Sequence, residues 1–280
     1  MIDLHTHSTY SDGTLSPTEL VELAVETGLS AVALTDHNTT AGLPEFLRAA
    51  KGKPLRAVPG VEFSTDYNGG ELHVLALFLP MDRCGEVEQL LREMLQRKEQ
   101  SNLDLVAALA TAGIRLDYDA IRATSPSGIV NRAVIAGEMT RLGYCQSVPE
   151  AFEKWLSQKH GYFHPPRRLD VFEVIGYIRS LGAVSVLAHP FLNLKSEADL
   201  RLFLQQAVPA GLQGMETCYS KFDEENTRLA RKLAREYGLA ESGGSDFHGE
   251  NKPDIRIGVG RGNLAVPEEF LTALELLRRN

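Results

Sequence analysis

Short apolar runs alternate with stretches of helical period through the first third of the chain. Met1–Leu4 reads as a strand. Ser16-Pro17-Thr18-Glu19 is a capping box with proline at the first helical position. Leu20, Leu23, Ala24 and Thr27 follow at helical spacing, and Gly28 can stop that helix. Ala31–Leu34 reads as a second strand, residues 44–50 as a helix, Leu55–Val61 as a third strand and Leu72–Leu79 as a fourth. The rhythm then breaks. Glu86–Ala112 is a long helical stretch, and the segment after it, to about Arg168, carries further helices and no convincing strand. Asp170-x-x-Glu173 opens another helix, with Val174, Ile175, Ile178 and Leu181 on one face and Gly182 at its end. Ala183–Leu187, Leu212–Glu216 and Leu239–Ser242 read as the last strands; helices over 223–236 and 267–279 complete the pattern. Strands separated by helices imply parallel pairing with right-handed crossovers. The pattern predicts an α/β fold, a (β/α) barrel of seven strands over residues 1–97 and 169–280, with an all-helical insertion at 98–168.

Composition narrows the partners. The formal net charge of -8 argues against grip on long duplex nucleic acid, which needs a basic face. It leaves room for a small anionic ligand held by metals or a few arginines. Cys84, Cys145 and Cys218 are far apart and form no C-x-x-C pair, so neither a disulfide framework nor a thiolate zinc site is expected. The first residues carry Asp3 and His5 and no basic or apolar leader, and no apolar run reaches the ~18 residues of a membrane span. The expectation is a cytoplasmic chain with no membrane partner.

The histidines change the picture most. Of eight, six are read at the carboxyl ends of predicted strands: His5 and His7 after the first, His37 after the second, His73 within the fourth, His189 after the fifth and His248 after the last. Asp12, Asp36, Glu62 and Asp246 occupy similar positions. A barrel gathers its strand ends at one face, where active sites are built. So dense a cluster of imidazoles and carboxylates is costly to desolvate unless cations compensate it, and imidazole with carboxylate and no thiolate suits Mn, Fe or Zn.

These residues sit in recognisable motifs. D-L-H-T-H-S-x-x-S-D-G at 3–13, L-T-D-H at 34–37, G-V-E at 60–62, L-H-V-L at 72–75, L-A-H-P at 187–190 and G-S-D-F-H at 244–248 resemble those of the PHP (polymerase and histidinol phosphatase) family. The resemblance implies a distorted seven-stranded barrel with three divalent metals, Mn2+ before Fe2+ or Zn2+. It assigns the ligands to His5, His7, Asp12, His37, Glu62, His73, His189, Asp246 and His248. His5, His7, Glu62 and Asp246 would hold the first metal; Glu62, His73 and His189 the second, with Glu62 as the bridge; Asp12, His37 and His248 the third. Glu62, His189, His248 and Asp246 are the catalytic candidates. Asp36 either orients His37 or serves the fold. Paired divalent ions acidify water and clamp the oxygens around phosphorus, so Ser8 and Ser11 read as loop hydrogen-bonders, not nucleophiles.

Residues 101–168 hold eight basic and six acidic residues, a formal +2, so the rest of the chain carries -10. That charge would suit a lid over an anionic substrate. Ser127-Gly128-Ile129-Val130-Asn131-Arg132 and Tyr162-Phe163-His164-Pro165-Pro166-Arg167-Arg168 resemble the insertion of one branch of the family, in which arginines meet the substrate phosphate. Arg132 and Arg168 are the candidates, with Arg167 and His164 behind them; an arginine fork fits phosphate bidentately. Tyr144, Trp155, Tyr162 and Phe163 either stack on a base or build a core. The branch resembles enzymes that remove the 3′-phosphate of nucleoside 3′,5′-bisphosphates and relatives that trim RNA from a 5′ end. The implied partner is a small phosphorylated nucleotide or a short single-stranded RNA end. Competing readings are a histidinol-phosphate phosphatase, an amidohydrolase-type C–N hydrolase, and a metal-binding module without activity.

Overall fold

The computed structural model describes residues 1–124, 130–166 and 168–278. In chain order come β1 (Ile2–Asp3), α1 (Pro17–Glu26), β2 (Ala31–Leu34), α2 (Leu43–Ala50), β3 (Arg56–Tyr67), β4 (Gly70–Leu77) and α3 (Cys84–Thr111). Then follow α4 (Tyr118–Thr124), α5 (Arg132–Arg141), α6 (Val148–Ala151), β5 (Leu169–Asp170) and α7 (Val171–Ser180). β6 (Val184–Leu187), α8 (Glu197–Ala210), β7 (Gly214–Tyr219), α9 (Glu224–Glu236), β8 (Ala240–Gly244) and α10 (Glu268–Leu277) complete the fold. The chain divides into two compact units, Met1–Gln89 with Leu169–Asn280, and Leu90–Arg168. The first boundary lies inside α3, at Leu90, eight residues before the expected 98.

In the first unit the main sheet path runs β1-β2-β3-β4-β6-β7-β8, and the short β5 pairs with the far end of β3. The path almost closes. Leu4 N–H donates to Gly243 O at 3.1 Å, Asp246 N–H to His5 O at 2.9 Å and His7 N–H to Phe247 O at 2.9 Å, which joins the first strand to the last. The result is the distorted seven-stranded barrel.

One feature of the expected topology is corrected. β4 is antiparallel to both β3 and β6, whereas the other pairs along the path are parallel. The reason is local. Tyr67 pairs with Gly70, leaving Asn68-Gly69 as a two-residue turn with φ of 53° and 80°. Both positions of such a turn need positive φ, which asparagine and glycine tolerate. A tight hairpin cannot join parallel strands. Asn68-Gly69 between two apolar runs is the hairpin signal in the sequence. The sequence pattern also singled out no helix where α8 lies. Ser196 caps α8, Gly211 ends it at φ 110°, and Pro209 in its last turn reads as a breaker.

Elsewhere local chemistry works as read. Ser16 Oγ accepts from Glu19 N–H while Ser16 N–H donates to Glu19 Oε2 at 2.8 Å, so the capping box of α1 is closed. Asp170 caps α7 by accepting from Phe172 and Glu173 N–H. The barrel unit buries Ile2, Leu4, Val58, Leu75, Val186 and Leu274 in one core cluster. Residues of the second unit form their own, including Leu105, Leu109, Ile135, Met139, Leu156 and Phe163. Trp155 and Tyr162 pack against that cluster, so three of the aromatics considered for base stacking serve a core. Tyr144 is 38% exposed and its hydroxyl accepts from Arg115 N–H at 3.2 Å. Among the described residues no helix is long and apolar enough to cross a membrane.

Candidate metal centre

The barrel brings scattered segments to one pole. His5 and His7 follow β1, and their spacing of two puts both side chains on the same side. His37 follows β2 and pairs by backbone with Glu62, which lies inside β3. His73 is near the start of β4. Because that strand runs backwards, its beginning lies where its parallel neighbours end. His189 follows β6, and Asp246 and His248 follow β8.

Glu62 is fully buried at the centre. Its Oε2 is 3.1 Å from His5 Nε2, 3.2 Å from His7 Nε2 and 3.2 Å from His37 Nδ1. Its Oε1 is 2.9 Å from His73 Nδ1 and 3.1 Å from His189 Nε2. One carboxylate therefore turns each oxygen to a different set of imidazoles. Asp246 Oδ1 lies 3.4 Å from His7 Nε2 and 3.4 Å from His248 Nδ1. Asp12 Oδ1 lies 3.2 Å from His248 Nε2 and 3.7 Å from His7 Nδ1, and its Oδ2 is 4.0 Å from His37 Nε2. All nine expected ligands thus meet in overlapping groups: His5-His7-Asp246, His5-Glu62-His189, His37-Glu62-His73, and His7-Asp12-His37-His248. His5, His7 and His37 each belong to two of these groups, a sharing that the expected three-way division does not contain.

Charge explains why the groups want cations. Burial pushes the Glu62 carboxyl up, but His37, His5 and His73 outweigh it and hold it well below the usual range. Burial likewise opposes ionisation of Asp246 and Asp12, and neighbouring histidines hold both below their ordinary values. For His73, burial is outweighed by Glu62, and the imidazole is pushed up to about 10. For His37 burial wins, and it falls to about 4. His5 Nε2 and His7 Nε2 stand 3.1 Å apart, so they share at most one proton between them. Nδ1 of His7, His37 and His189 is buried with no hydrogen-bond partner among the described residues. Unpartnered buried nitrogens around ionised carboxylates, without thiolate, fit divalent cations.

Several contributors were not foreseen. Glu216, fully buried in β7, accepts from His5 at 2.9 Å through Nδ1 and from His189 N–H at 2.6 Å. A carboxylate behind an imidazole ligand fixes its tautomer and orientation. Tyr219 donates to Asp246 Oδ2 at 2.8 Å, and Lys252 Nζ lies 2.7 Å from the same oxygen. Glu216 and Tyr219 are three apart in one strand, which strict alternation would place on opposite faces. A bulge between Glu216 and Cys218 resets the alternation. The available signal was an acid inside the apolar run Gly214–Tyr219. Asp36 proves to hold the loop after β1, accepting from Ser8 N–H at 2.7 Å, Ser8 Oγ at 2.6 Å and Ser11 Oγ at 2.7 Å. Those contacts occupy both serines. His189 and Asp246 adopt positive φ, 28° and 58°, so the backbone is strained where two of the candidate ligands are presented.

Comparison with known proteins gives the same outline. Residues 3–156 match the PHP domain family. The chain belongs to the PHP family. Among PHP relatives, a 5′-3′ exoribonuclease of Haemophilus influenzae is 32% identical over 88% of this chain and 89% of its own length. A 3′,5′-nucleoside bisphosphate phosphatase of Chromobacterium violaceum is 30% identical over 91% and 90%. A solved PHP-like structure from Bifidobacterium adolescentis, provisionally named a metal-dependent phosphoesterase, superposes with a TM-score of 0.72 at 26% identity, covering 99% of this chain and 96% of that one. The protein is a PHP metal-dependent phosphoesterase.

Beside the ligands the PHP barrel has a cavity of about 270 Å3 lined by His37, His73, His189 and Asp246 and by Tyr219, Lys221 and Lys252. The expected substrate residues lie in the second unit. Arg132 stacks its guanidinium 4.0 Å above the Phe163 ring and donates to Leu156 O at 3.0 Å. Burial and the nearby Arg168 charge both lower its affinity for a proton. Arg168 and His164 are exposed, and the His164 carbonyl accepts from Ser101 Oγ. Arg167 and Ser127-Gly128-Ile129 fall outside the described residues.

Proposed function

We propose that this phosphoesterase acts on nucleotides, removing the 3′-phosphate of nucleoside 3′,5′-bisphosphates and trimming short RNA from a 5′ end. The observation that carries this reading is Glu62, whose two oxygens each face a separate set of imidazoles. That arrangement suits a carboxylate shared between two cations. The relatives named as exoribonuclease and bisphosphate phosphatase support the substrate class.

We assign three divalent metals, Mn2+ first, to His5, His7, Glu62 and Asp246, to Glu62, His73 and His189, and to Asp12, His37 and His248. Bound there, such ions neutralise phosphoryl oxygens and lower the pKa of water. The residues do the rest. Glu62 and Asp246, held ionised, set the negative charge that retains the ions. Glu216 keeps His5 oriented and ties down the His189 backbone. Lys252 offsets Asp246 Oδ2, so Oδ1 is left to the histidines. Of the second unit, Arg132 is pre-oriented by Phe163 and Leu156, and with Arg168 it supplies cationic forks for phosphate. Arg167 and His164 are secondary candidates for the same task. The three cysteines are unpaired, which suits the reducing cytoplasm we assign to the enzyme.

The test is phosphate release from adenosine 3′,5′-bisphosphate by the purified chain with Mn2+. Turnover of histidinol phosphate in its place would overturn the nucleotide assignment. Replacing Arg132 or Arg168 by Gln raises KM about tenfold or more while bound metal stays constant; loss of metal in these variants would overturn their role.

A further inference from the structure

Asp12 differs from the other candidate ligands. Its side chain is 55% exposed, whereas those of His5, His7 and Glu62 are fully buried. It lies well beyond β1, on the loop that leads to α1. Packing therefore does not hold its carboxylate, yet Oδ1 sits 3.2 Å from His248 Nε2. The His248 ring is fixed from its other side. Its Nδ1 lies 2.9 Å from the Asp246 carbonyl oxygen, which can only accept, so Nδ1 carries a proton and Nε2 is turned to Asp12. What brings Asp12 there is a second loop. Thr14 N–H donates to the His248 carbonyl at 3.1 Å, Glu250 N–H to Thr14 Oγ1 at 2.9 Å and Asn251 Nδ2 to the Asp12 carbonyl at 2.8 Å. The first and third of these bonds end on the backbone of the two ligands themselves. Gly249 lies between them at φ 64°, and a Cβ there would collide with Thr14 Oγ1. Both the left-handed backbone and the lack of space call for glycine.

We infer that Thr14 and Asn251 are positioning residues, which clasp the loop after β1 to the loop after β8 and so hold the Asp12 carboxylate opposite His248 Nε2. The inference rests on the assignment above of Asp12, His37 and His248 to one cation. Thr14 and Asn251 work through backbone atoms of Asp12, His248 and Glu250 and stay clear of the ligand atoms. Their effect is confined to this group. Glu62 and His73 lie within paired strands and His189 directly after one, so strand pairing presents them whatever the two loops do. Thr14 is half-buried and Asn251 exposed, so replacing either leaves the barrel core as it is.

The experiment strips Mn2+ from fully loaded protein with rising chelator and counts the ions retained. Thr14→Val and Asn251→Ala release one equivalent about tenfold more readily than wild type, the scale expected for residues that orient a ligand, and the other equivalents at the wild-type chelator concentration. Thr14→Ser keeps the oxygen and behaves as wild type. Gly249→Ala pries the loops apart and gives the Thr14→Val pattern. Ser16→Ala removes the cap of α1 and lowers the melting temperature without moving any release step, which separates lost stability from lost position. An unmoved first step in Thr14→Val and Asn251→Ala overturns the inference, as does equal weakening of every ion. A second readout needs no metal. The ring 15N resonances of His248 in metal-free protein report its contact with Asp12; Thr14→Val moves them to where Asp12→Asn places them, and coincidence with wild type overturns the clasp. Wild-type protein that retains no Mn2+ refutes the metal assignment, and the His248 resonances then judge the clasp by themselves.

Discussion

Glu216 shows what a single residue contributes. It is a buried carboxylate that accepts one hydrogen bond from the His5 ring and one from the His189 backbone, and it thereby couples β1 to the turn after β6. Glu216→Gln replaces one acceptor oxygen with an N–H that faces another donor. Metal affinity is expected to fall roughly 10–100-fold, as for other residues that orient a ligand. Chelator competition measures this, and unchanged affinity would show that His5 needs no such support. Protons report the same site. His73, pushed up to about 10 beside Glu62, is protonated at pH 7 in metal-free protein. A ligand imidazole must be neutral, so metal binding at pH 7 releases protons. Titration calorimetry in two buffers of different ionisation enthalpy should give different heats; equal heats would contradict it. Linkage sets the sign for stability. The folded value is raised above 6.5, so the His73 contribution is complete below 6.5 and is lost as pH rises towards about 10. His37 acts oppositely. With its folded value lowered to about 4, the unfolded chain binds the extra proton, and stability falls as pH drops from 6.5 to about 4. The slope in that acid window should flatten in His37→Asn, measured by denaturant melts of metal-free protein.

At the scale of elements, barrel closure depends on how nearly β8 can approach the first strand. A Cβ on Gly244 would meet the Cβ of His5 at 2.4 Å and its backbone N at 2.5 Å. Gly244→Ala therefore forces β8 away from the segment that presents His5. A loss of roughly 1–3 kcal/mol is expected, typical of overpacking, with weaker metal binding than the stability change alone explains. A fully metallated variant with wild-type melting temperature would refute the close-approach argument. Element-level patterning was mostly readable. The capping box of α1 and the Asp170 cap of α7 are short-range signals, and both operate as written. The pairing direction of β4 departs from the parallel expectation because no helix lies between β3 and β4: the Asn68-Gly69 turn joins them as a hairpin. The bulge between Glu216 and Cys218 left no periodic trace, since every residue of β7 is buried and hydrophobicity cannot say which face each side chain takes.

At the scale of the molecule, two cores divide the work. The candidate metal ligands lie in the barrel unit, and the second unit packs around its own cluster. Ligands that bind only the native state stabilise it by mass action. Adding Mn2+ should slow hydrogen exchange throughout β1–β4 and β6–β8 and leave the core amides of α4 and α5 nearly unchanged. Equal slowing in both units would show that they unfold as one. Sequence by itself determined which nine imidazoles and carboxylates were expected to converge, through motifs that resemble those of the PHP family, because motif spacing survives without coordinates. It also determined the alternation of strands and helices, since hydrophobic period is a local property. Tertiary structure alone decided that His5, His7 and His37 are each shared between two groups, that Glu216 and Tyr219 join the pit, and that Lys221 lines its cavity. Those facts depend on strand direction, a bulge and the distance between residues far apart in sequence, and none of these leaves a mark on the order of apolar and polar positions.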